Sequence, residues 1–224
     1  MQTVKQHITS KQQQFMAHPF FDALETMESL EDIAHFVPEL TFWVMVFQDI
    51  LRLNEERITD PDLRKIARHH RLEDAGHERW FLHDRNYICG KDSRGENIDW
   101  LFGKTVRWAR DPAYAILAEI YRSDNEWLNI VLLLSIESTG HVFFEKIVQK
   151  TQQIGEDKNL KYFSSSHLDA EMGHSLFEKQ LEDNLHATAL PGGIRHDALA
   201  LVDRCYAAFD QLFDGLLMLC RPKS

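Results

Sequence analysis

The chain has 224 residues, of which 44% are hydrophobic and 27% are charged, a balance typical of one globular domain with a sizeable core. Its formal net charge of −10 argues against a nucleic-acid binder, which needs a basic surface, and against a protein that binds an anionic membrane. Three scattered cysteines cannot form a disulfide framework and the polar N-terminus lacks the apolar core of a signal peptide, so a reduced, cytoplasmic protein is expected.

Nearly every segment shows helical periodicity, and strand-type alternation is absent over any useful length. Helices are predicted over 3–16, 29–57 with a kink or division at Pro38, 60–88, 99–109, 112–123, 125–153 and 158–187. LPGG at 190–193 precedes a final helix with an apolar face of Leu199, Val202, Tyr206, Phe209, Phe213 and Leu216. This pattern predicts an all-α, single-domain bundle of about seven to eight helices over residues 1–224.

The stretch SSSHLDAEMGHSLF, residues 164–177, places His167, Glu171 and His174 at offsets of 0, 4 and 7. Since each helical residue turns by about 100°, these three side chains share one helix face. Apolar neighbours on the same helix favour an inward direction for that face. Three aligned donors of this kind indicate a metal site more strongly than a single histidine would.

A second group of donors lies in RHHRLEDAGHERW, where Glu73 and His77 are four residues apart. His70, Asp74 and His77 repeat the offsets of the first motif, so Asp74 competes with Glu73 for the role of carboxylate ligand. The other charged groups nearby are expected to be ordinary surface residues, with His70 the least certain among them: His69, His70, His83, Glu78 and Asp84.

The third group is Glu137 with His141, again four residues apart. Glu137 directly follows WLNIVLLLSI, a stretch that is apolar nearly all round and is therefore expected to be buried. A buried carboxylate is costly unless it is paired or binds a metal. His141 is either an additional ligand or a partner that orients Glu137. Carboxylates and imidazoles without cysteine suit iron or manganese, with zinc as an alternative.

These motifs resemble those of the heme-oxygenase-like diiron oxidases and oxygenases, which are similar in fold to TenA-like thiaminase-II and PqqC-like proteins. The resemblance rests on the late His167, Glu171 and His174, on Glu137 upstream, and on Glu73 with His77 before it. HPFF at 18–21 and FQDIL at 47–51 are similar to the opening of this fold. The family more often has aspartate where Glu171 stands, and some members place the first carboxylate at the position of His70.

The resemblance implies a non-heme diiron site, with a pair of Fe ions or an Fe/Mn pair, that activates O2 and oxidises a C–H bond, a C–C bond or a nitrogen of a small organic substrate. Its ligands would be Glu73, His77, Glu137, His167, Glu171 and His174, with His70, Asp74 and His141 as additional, alternative or supporting groups. Aromatic residues near the site are candidates for the substrate pocket, namely Trp43, Tyr114, Tyr121 and Trp127. A homodimer is common in this fold, and the sequence identifies neither the substrate nor the electron donor.

Two alternatives remain open at this stage. The first is a metal-independent enzyme of the thiaminase-II or PqqC type, in which the same residues line the pocket or transfer protons. Thiaminase-II enzymes need a cysteine nucleophile in the pocket, and none of the three cysteines falls on the ligand-bearing stretches. The second is a non-catalytic binding protein, for which Glu137 and His167 would face solvent. Heme binding would require a single proximal histidine, for which His18 is the candidate.

Overall fold

Only helices occur as regular elements in the parts of the chain that the computed structural model describes, which are residues 1–90, 98–170 and 190–220. The prediction of an all-α fold is confirmed. The α-helices are α1 (Gln2–Met16), α2 (Pro19–Glu25), α3 (Leu30–Ile33), α4 (Thr41–Arg57), α5 (Pro61–Glu73), α6 (His77–Cys89), α7 (Ile98–Leu101), α8 (Arg107–Arg122), α9 (Glu126–Gln153), α10 (165–170) and α11 (Gly192–Cys220). Short 3-10 turns cover Val37–Leu40, Lys104–Val106 and Asp157–Asn159.

Two long helices, α9 and α11, form the centre of the bundle. They pack against each other, α1 packs against both, and α8 lies along α11. The predicted apolar face of α11 is buried at Val202, Tyr206, Phe209, Phe213 and Leu216. Phe213 meets four other phenylalanine rings within 5.7 Å, from α1, α2 and α9. These contacts, three of them edge-to-face, join the N-terminal helices to the core.

By length and composition α9 could span a membrane, but 61% of its apolar window is buried inside the protein. Extensive burial of this kind is usual for a core helix that packs against its neighbours on every side. Asn125 caps the start of α9, because its side chain accepts the Trp127 N–H, and the helix ends before Gly155, which has a φ of 79°.

The two prolines that were expected to interrupt helices behave differently. Pro38 stands at the start of a 3-10 turn, so α3 and α4 are separate helices as predicted. Pro112 lies inside α8, and the predicted break at this proline is wrong. A proline removes one backbone N–H from the helix, and the remaining hydrogen bonds and buried apolar face of α8 compensate for that loss.

The predicted helix over 60–88 is divided at Gly76, which separates α5 from α6. Gly76 has a φ of 100°, a left-handed conformation that glycine adopts without steric cost. The chain direction changes there, so residues before and after Gly76 no longer follow one helical period. This break determines which donors of the second group meet.

Gly215 on α11 permits a close approach between α11 and α8. A Cβ at this position would overlap the ring of Trp108. Gly140, at a comparable interior position of α9, would meet nothing within 4 Å if it carried a Cβ. The two glycines therefore form a matched pair for testing the packing between α8 and α11.

We expect Gly215→Ala to lower the free energy of unfolding by about 1–3 kcal/mol, because the methyl group overpacks the core. Gly140→Ala should be neutral or stabilising by up to about 1 kcal/mol, because alanine favours a helix interior. Urea unfolding monitored by circular dichroism measures both values. Equal stability of the two variants would show that Trp108 does not pack on Gly215 as described.

Candidate metal centre

Three donor side chains converge at one point: His70 in α5, Asp74 directly after α5, and Glu137 in α9. His70 Nε2 lies 3.0 Å from Asp74 Oδ2 and 2.8 Å from Glu137 Oε1. Among the described residues, His70, Asp74 and Glu137 form a group whose ligand atoms all lie within 4.8 Å of one another. His70 and Asp74 are four residues apart and share a helix face, whereas Glu137 reaches the group through tertiary packing.

The surroundings of His70 Nε2 fit a cation. This nitrogen is buried and lies close to two carboxylate oxygens, yet it makes no well-directed hydrogen bond to any described residue. Burial opposes protonation of His70, but the charges of Glu137 and Asp74 outweigh it and raise its pKa well above the usual value. The positive charge that these carboxylates need can therefore come from a proton or from a metal ion.

Asp74 connects this group to a pair of histidines. Its second oxygen, Oδ1, lies 3.3 Å from His77 Nδ1, and His77 Nδ1 lies 3.1 Å from His167 Nε2. Burial alone would raise the pKa of Asp74, but its contacts with His70 and His77 outweigh burial and lower that pKa. Asp74 is therefore an ionised carboxylate, with Oδ2 directed towards His70 and Oδ1 directed towards His77.

His167 has the arrangement typical of a neutral histidine ligand. Its Nδ1 lies 2.7 Å from the carbonyl oxygen of Tyr162, and only 1% of His167 is exposed. Since that carbonyl can only accept, we assign the proton to Nδ1 and the lone pair to Nε2, which faces His77. Metal-binding histidines usually donate their second N–H to a carbonyl or carboxylate in this way.

Asp84 on α6 fixes the backbone that carries this carbonyl. Its carboxylate is fully buried and accepts the N–H groups of Lys161 at 2.8 Å, Tyr162 at 2.7 Å and Phe163 at 2.9 Å. The expectation that Asp84 is a solvated surface charge is wrong. Sequence reasoning missed its role because all three donors come from backbone 77–79 residues away along the chain.

The structure places Asp74, and not Glu73, with the other donors. Glu73 is the last residue of α5, and its Oε1 lies 2.8 Å from His69 Nε2 one turn earlier. The prediction that Glu73 and His77 share a face assumed an unbroken helix, and the left-handed Gly76 between them removes that relation. His70 also differs from the expectation of a surface residue, because its side chain is only 13% exposed.

Glu171 and His174 lie outside the described residues, so their predicted ligand roles stay predictions. His141 is exposed to solvent but borders the same cavity as Glu137, one helical turn away. It does not belong to the close group formed by His70, Asp74 and Glu137 among the described residues.

A cavity of about 370 Å³ adjoins the donors, a size in the usual range for small-molecule sites. Asp74, His77, Glu137 and His167 form part of its wall, so the candidate metal centre opens into it. Trp43 lines the cavity as predicted. The other three aromatic candidates are not among its described lining residues: Tyr114, Tyr121 and Trp127. Tyr114 packs on Phe42, and Tyr121 lies under Arg57; both rings are exposed.

The described residues do not favour thiolate or heme chemistry. No cysteine is among the described lining residues of the cavity, and burial raises the pKa of Cys89 and of Cys220 to about 11. His18 Nδ1 accepts the Phe20 N–H at the start of α2, and its Nε2 lies 3.4 Å from Asp214 Oδ1. Both ring nitrogens of His18 therefore have partners that stabilise the start of α2.

Comparison with solved structures identifies the architecture. The chain is similar to a crystal structure of a domain of unknown function from Shewanella denitrificans OS217, which is described as having a heme oxygenase-like fold. The match covers 97% of the present chain and 91% of the Shewanella chain. The TM-score is 0.68 at 16% sequence identity. The present chain has a heme oxygenase-like fold. No family model and no curated protein matches the sequence.

The heme oxygenase-like fold implied by the sequence motifs is thus confirmed, whereas the likeness at this identity carries no information about activity. Within this fold, α5, α6, α9 and α10 bring together five donors from distant parts of the chain: His70, Asp74, His77, Glu137 and His167. Any function must be inferred from that group and its cavity.

We expect Asp84→Asn to lower the free energy of unfolding by about 3 kcal/mol, because an amide cannot accept three backbone N–H groups as a carboxylate does. Asp62→Asn, at an exposed position in the first turn of α5, should cost less than about 1 kcal/mol. Urea unfolding measures both. Equal losses in the two variants would contradict the role assigned to Asp84.

Proposed function

We propose that the protein is a metal-dependent oxidase or oxygenase, in which a diiron site activates O2 and oxidises a small organic substrate held in the cavity. The observation that supports this proposal is the convergence of His70, Asp74 and Glu137 on one point in the cavity wall. His77 and His167 extend the donor set beyond what one ion requires. Mixed imidazole and carboxylate ligation suits iron and manganese.

Each described donor has a defined task in this proposal. His70, Asp74 and Glu137 would hold one ion, and His77 with His167 would contribute to a second, assisted by Glu171 and His174 if the sequence prediction holds. The Tyr162 carbonyl keeps the proton of His167 on Nδ1, so that Nε2 can act as a ligand. Bound iron would supply electrons for the reduction of O2.

The cavity also provides the environment that such chemistry needs. Aromatic and aliphatic side chains form much of its wall: Ile8, Trp43, Val44, Phe47, Phe144 and Phe209. An apolar wall limits the water that reaches the donors once a substrate fills the space, and it strengthens electrostatic interactions within the site. The substrate would therefore lie against the donors and away from bulk solvent.

Anaerobic loading with ferrous iron, followed by metal analysis, tests the proposal directly. We expect about two iron ions per chain, and consumption of O2 when the loaded protein is exposed to air. Glu137→Gln and His167→Ala should each lower iron affinity by at least roughly tenfold, because each removes a donor. Glu73→Gln should leave iron binding unchanged, since Glu73 pairs with His69 outside the donor group.

The proposal fails if the unaltered protein binds no iron, or if Glu137→Gln and Glu73→Gln bind it equally. Folding of each variant is checked by circular dichroism. Unchanged turnover of a substrate after removal of metal by a chelator would instead support a metal-independent enzyme with the same pocket.

Metal affinity should rise with pH through the neutral range. The raised pKa of His70 means that this side chain is protonated in the metal-free protein near pH 7, so a metal ion must displace that proton. The affinity therefore increases as pH approaches the raised pKa from below. Asp74, whose pKa is lowered, stays ionised throughout and adds no such competition.

Cobalt titrations between about pH 6 and pH 8.5 measure this dependence, with proton release followed in weakly buffered solution. We expect His70→Gln to release about one proton fewer per chain than the unaltered protein. An unchanged proton release in that variant would show that His70 is not a ligand.

A further inference from the structure

Trp80 is a partly exposed aromatic residue that contacts the candidate metal centre from outside the cavity. Its side chain is 36% exposed, and it is not among the described residues that line the cavity. The indole is stacked on the ring of His77, with ring centroids 4.6 Å apart and ring planes inclined by 22°. It also meets the ring of His167 edge to face at 5.4 Å. One side chain thus contacts both histidines that are proposed to hold the second ion.

The ring orientation of His77 decides whether its Nδ1 can serve as a ligand atom. Nδ1 lies 3.3 Å from Asp74 Oδ1 and 3.1 Å from His167 Nε2. A turn of the imidazole about its Cβ–Cγ bond would move Nδ1 away from both atoms. This torsion has only broad intrinsic preferences in histidine, so the orientation must be fixed by the groups that pack around the ring.

Trp80 provides a surface that fixes the plane of this ring. It follows His77 by three residues on α6, so both side chains project from the same face of the helix. Because the indole lies nearly parallel to the imidazole, a tilted imidazole would collide with the indole face. Trp80 therefore fixes the plane of the His77 ring, while Asp74 and His167 determine which edge of the ring points towards them.

The indole also keeps solvent away from the two histidines. His77 is 8% exposed and His167 is 1% exposed, although Trp80 beside them reaches the surface. A shorter side chain at position 80 would admit water to the outer side of both rings. Water at this place weakens electrostatic interactions between the donors and a cation, because it raises the local dielectric constant.

We propose that Trp80 is a positioning residue of the metal centre, which holds the His77 imidazole in the plane where Nδ1 meets a metal ion beside His167. This inference rests on the proposed function for the presence of that ion. Trp80 acts through the two histidines and donates no ligand atom itself. Its substitution therefore weakens the binding of the ion beside His77 and leaves the ion held by the group around His70 unchanged.

Proton NMR of the metal-free protein tests the stacking by itself. The ring current of the Trp80 indole should shift the ring-proton resonances of His77 upfield. We expect this shift to disappear in Trp80→Leu and to persist in part in Trp80→Phe, because a phenyl ring still covers the imidazole. The measurement needs no metal, so it does not depend on the proposed function. Unshifted His77 resonances in the unaltered protein would overturn the inference.

Cobalt titrations followed by visible absorption test the positioning role. We expect Trp80→Leu to bind one cobalt ion normally and the second at least roughly tenfold more weakly, a loss typical of residues that orient a ligand. Trp80→Phe should recover most of the lost affinity. Tyr87→Leu is the matched control, because Tyr87 is an exposed aromatic residue about two turns further along α6 that donates to Glu156 at 3.1 Å. That control should bind both ions normally.

A comparison in the His77→Ala background separates positioning from general support of the fold. If Trp80 acts through His77, Trp80→Leu should cause no further loss of cobalt affinity once His77 is absent. Additive losses from the two substitutions would overturn the inference. The absorption bands of the second cobalt ion should also shift in Trp80→Leu and return in Trp80→Phe, because the set of ligand atoms changes and is then restored.

Three further outcomes would overturn the inference: unchanged cobalt affinity in Trp80→Leu, no recovery in a folded Trp80→Phe, or a single cobalt ion in the unaltered protein. Circular dichroism checks folding, and Trp80→Met, whose flexible side chain cannot fix a ring plane, replaces Trp80→Leu if that variant does not fold. The proposed function fails separately if Trp80 controls cobalt binding but the iron-loaded protein consumes no O2. Conversely, O2 consumption together with cobalt binding that is independent of Trp80 would overturn this inference alone.

Discussion

Two carboxylates, Asp74 and Glu137, approach one imidazole in the wall of a cavity, and the rest of the site depends on balancing their charge. Asp74 is buried, whereas Glu137 is only partly buried, with 30% of its side chain exposed, and not fully buried as expected. Carboxylates withdrawn from water are costly unless a positive charge lies beside them. In the metal-free molecule the balance comes from a proton on His70, whose pKa is raised for this reason. A metal ion would provide the same balance with a larger charge. The same atoms thus accommodate a proton and are the ones proposed to bind a metal ion.

The position of His167 relative to the other donors depends on α6. His77 at the start of α6 and Asp84 seven residues later lie on one face of that helix. Asp84 binds the backbone of residues 161–163, and His77 contacts His167 just beyond it. One face of α6 therefore both fixes the backbone of residues 161–163 and contacts His167, which follows them in the chain. A change at Asp84 would move His167 without touching any donor.

Much of the architecture follows from local patterns in the sequence. The apolar period of α11, the long apolar run of α9 and the turn at Pro38 all appear in the structure where the sequence places them. Pro112 does not end its helix, because tertiary packing compensates for one lost hydrogen bond. For the candidate site, the sequence predicted Glu137, His77 and His167 as ligands and offered His70 and Asp74 as alternatives. The structure brings these five side chains together. The sequence pattern favoured Glu73 because a spacing of four residues between Glu73 and His77 places both on one face only if the helix continues through Gly76.

The sequence by itself determined the helical class, the donor types and their approximate order, because these depend on periodicity and residue chemistry within one segment. The tertiary structure decided which donors meet and what surrounds them. Asp74 replaces Glu73 because a single left-handed glycine redirects the chain. Asp84 binds backbone groups that are distant in sequence, and Tyr114 and Tyr121 lie on the surface because α8 presents that face outward. Such relations arise from long-range packing, which no local period encodes.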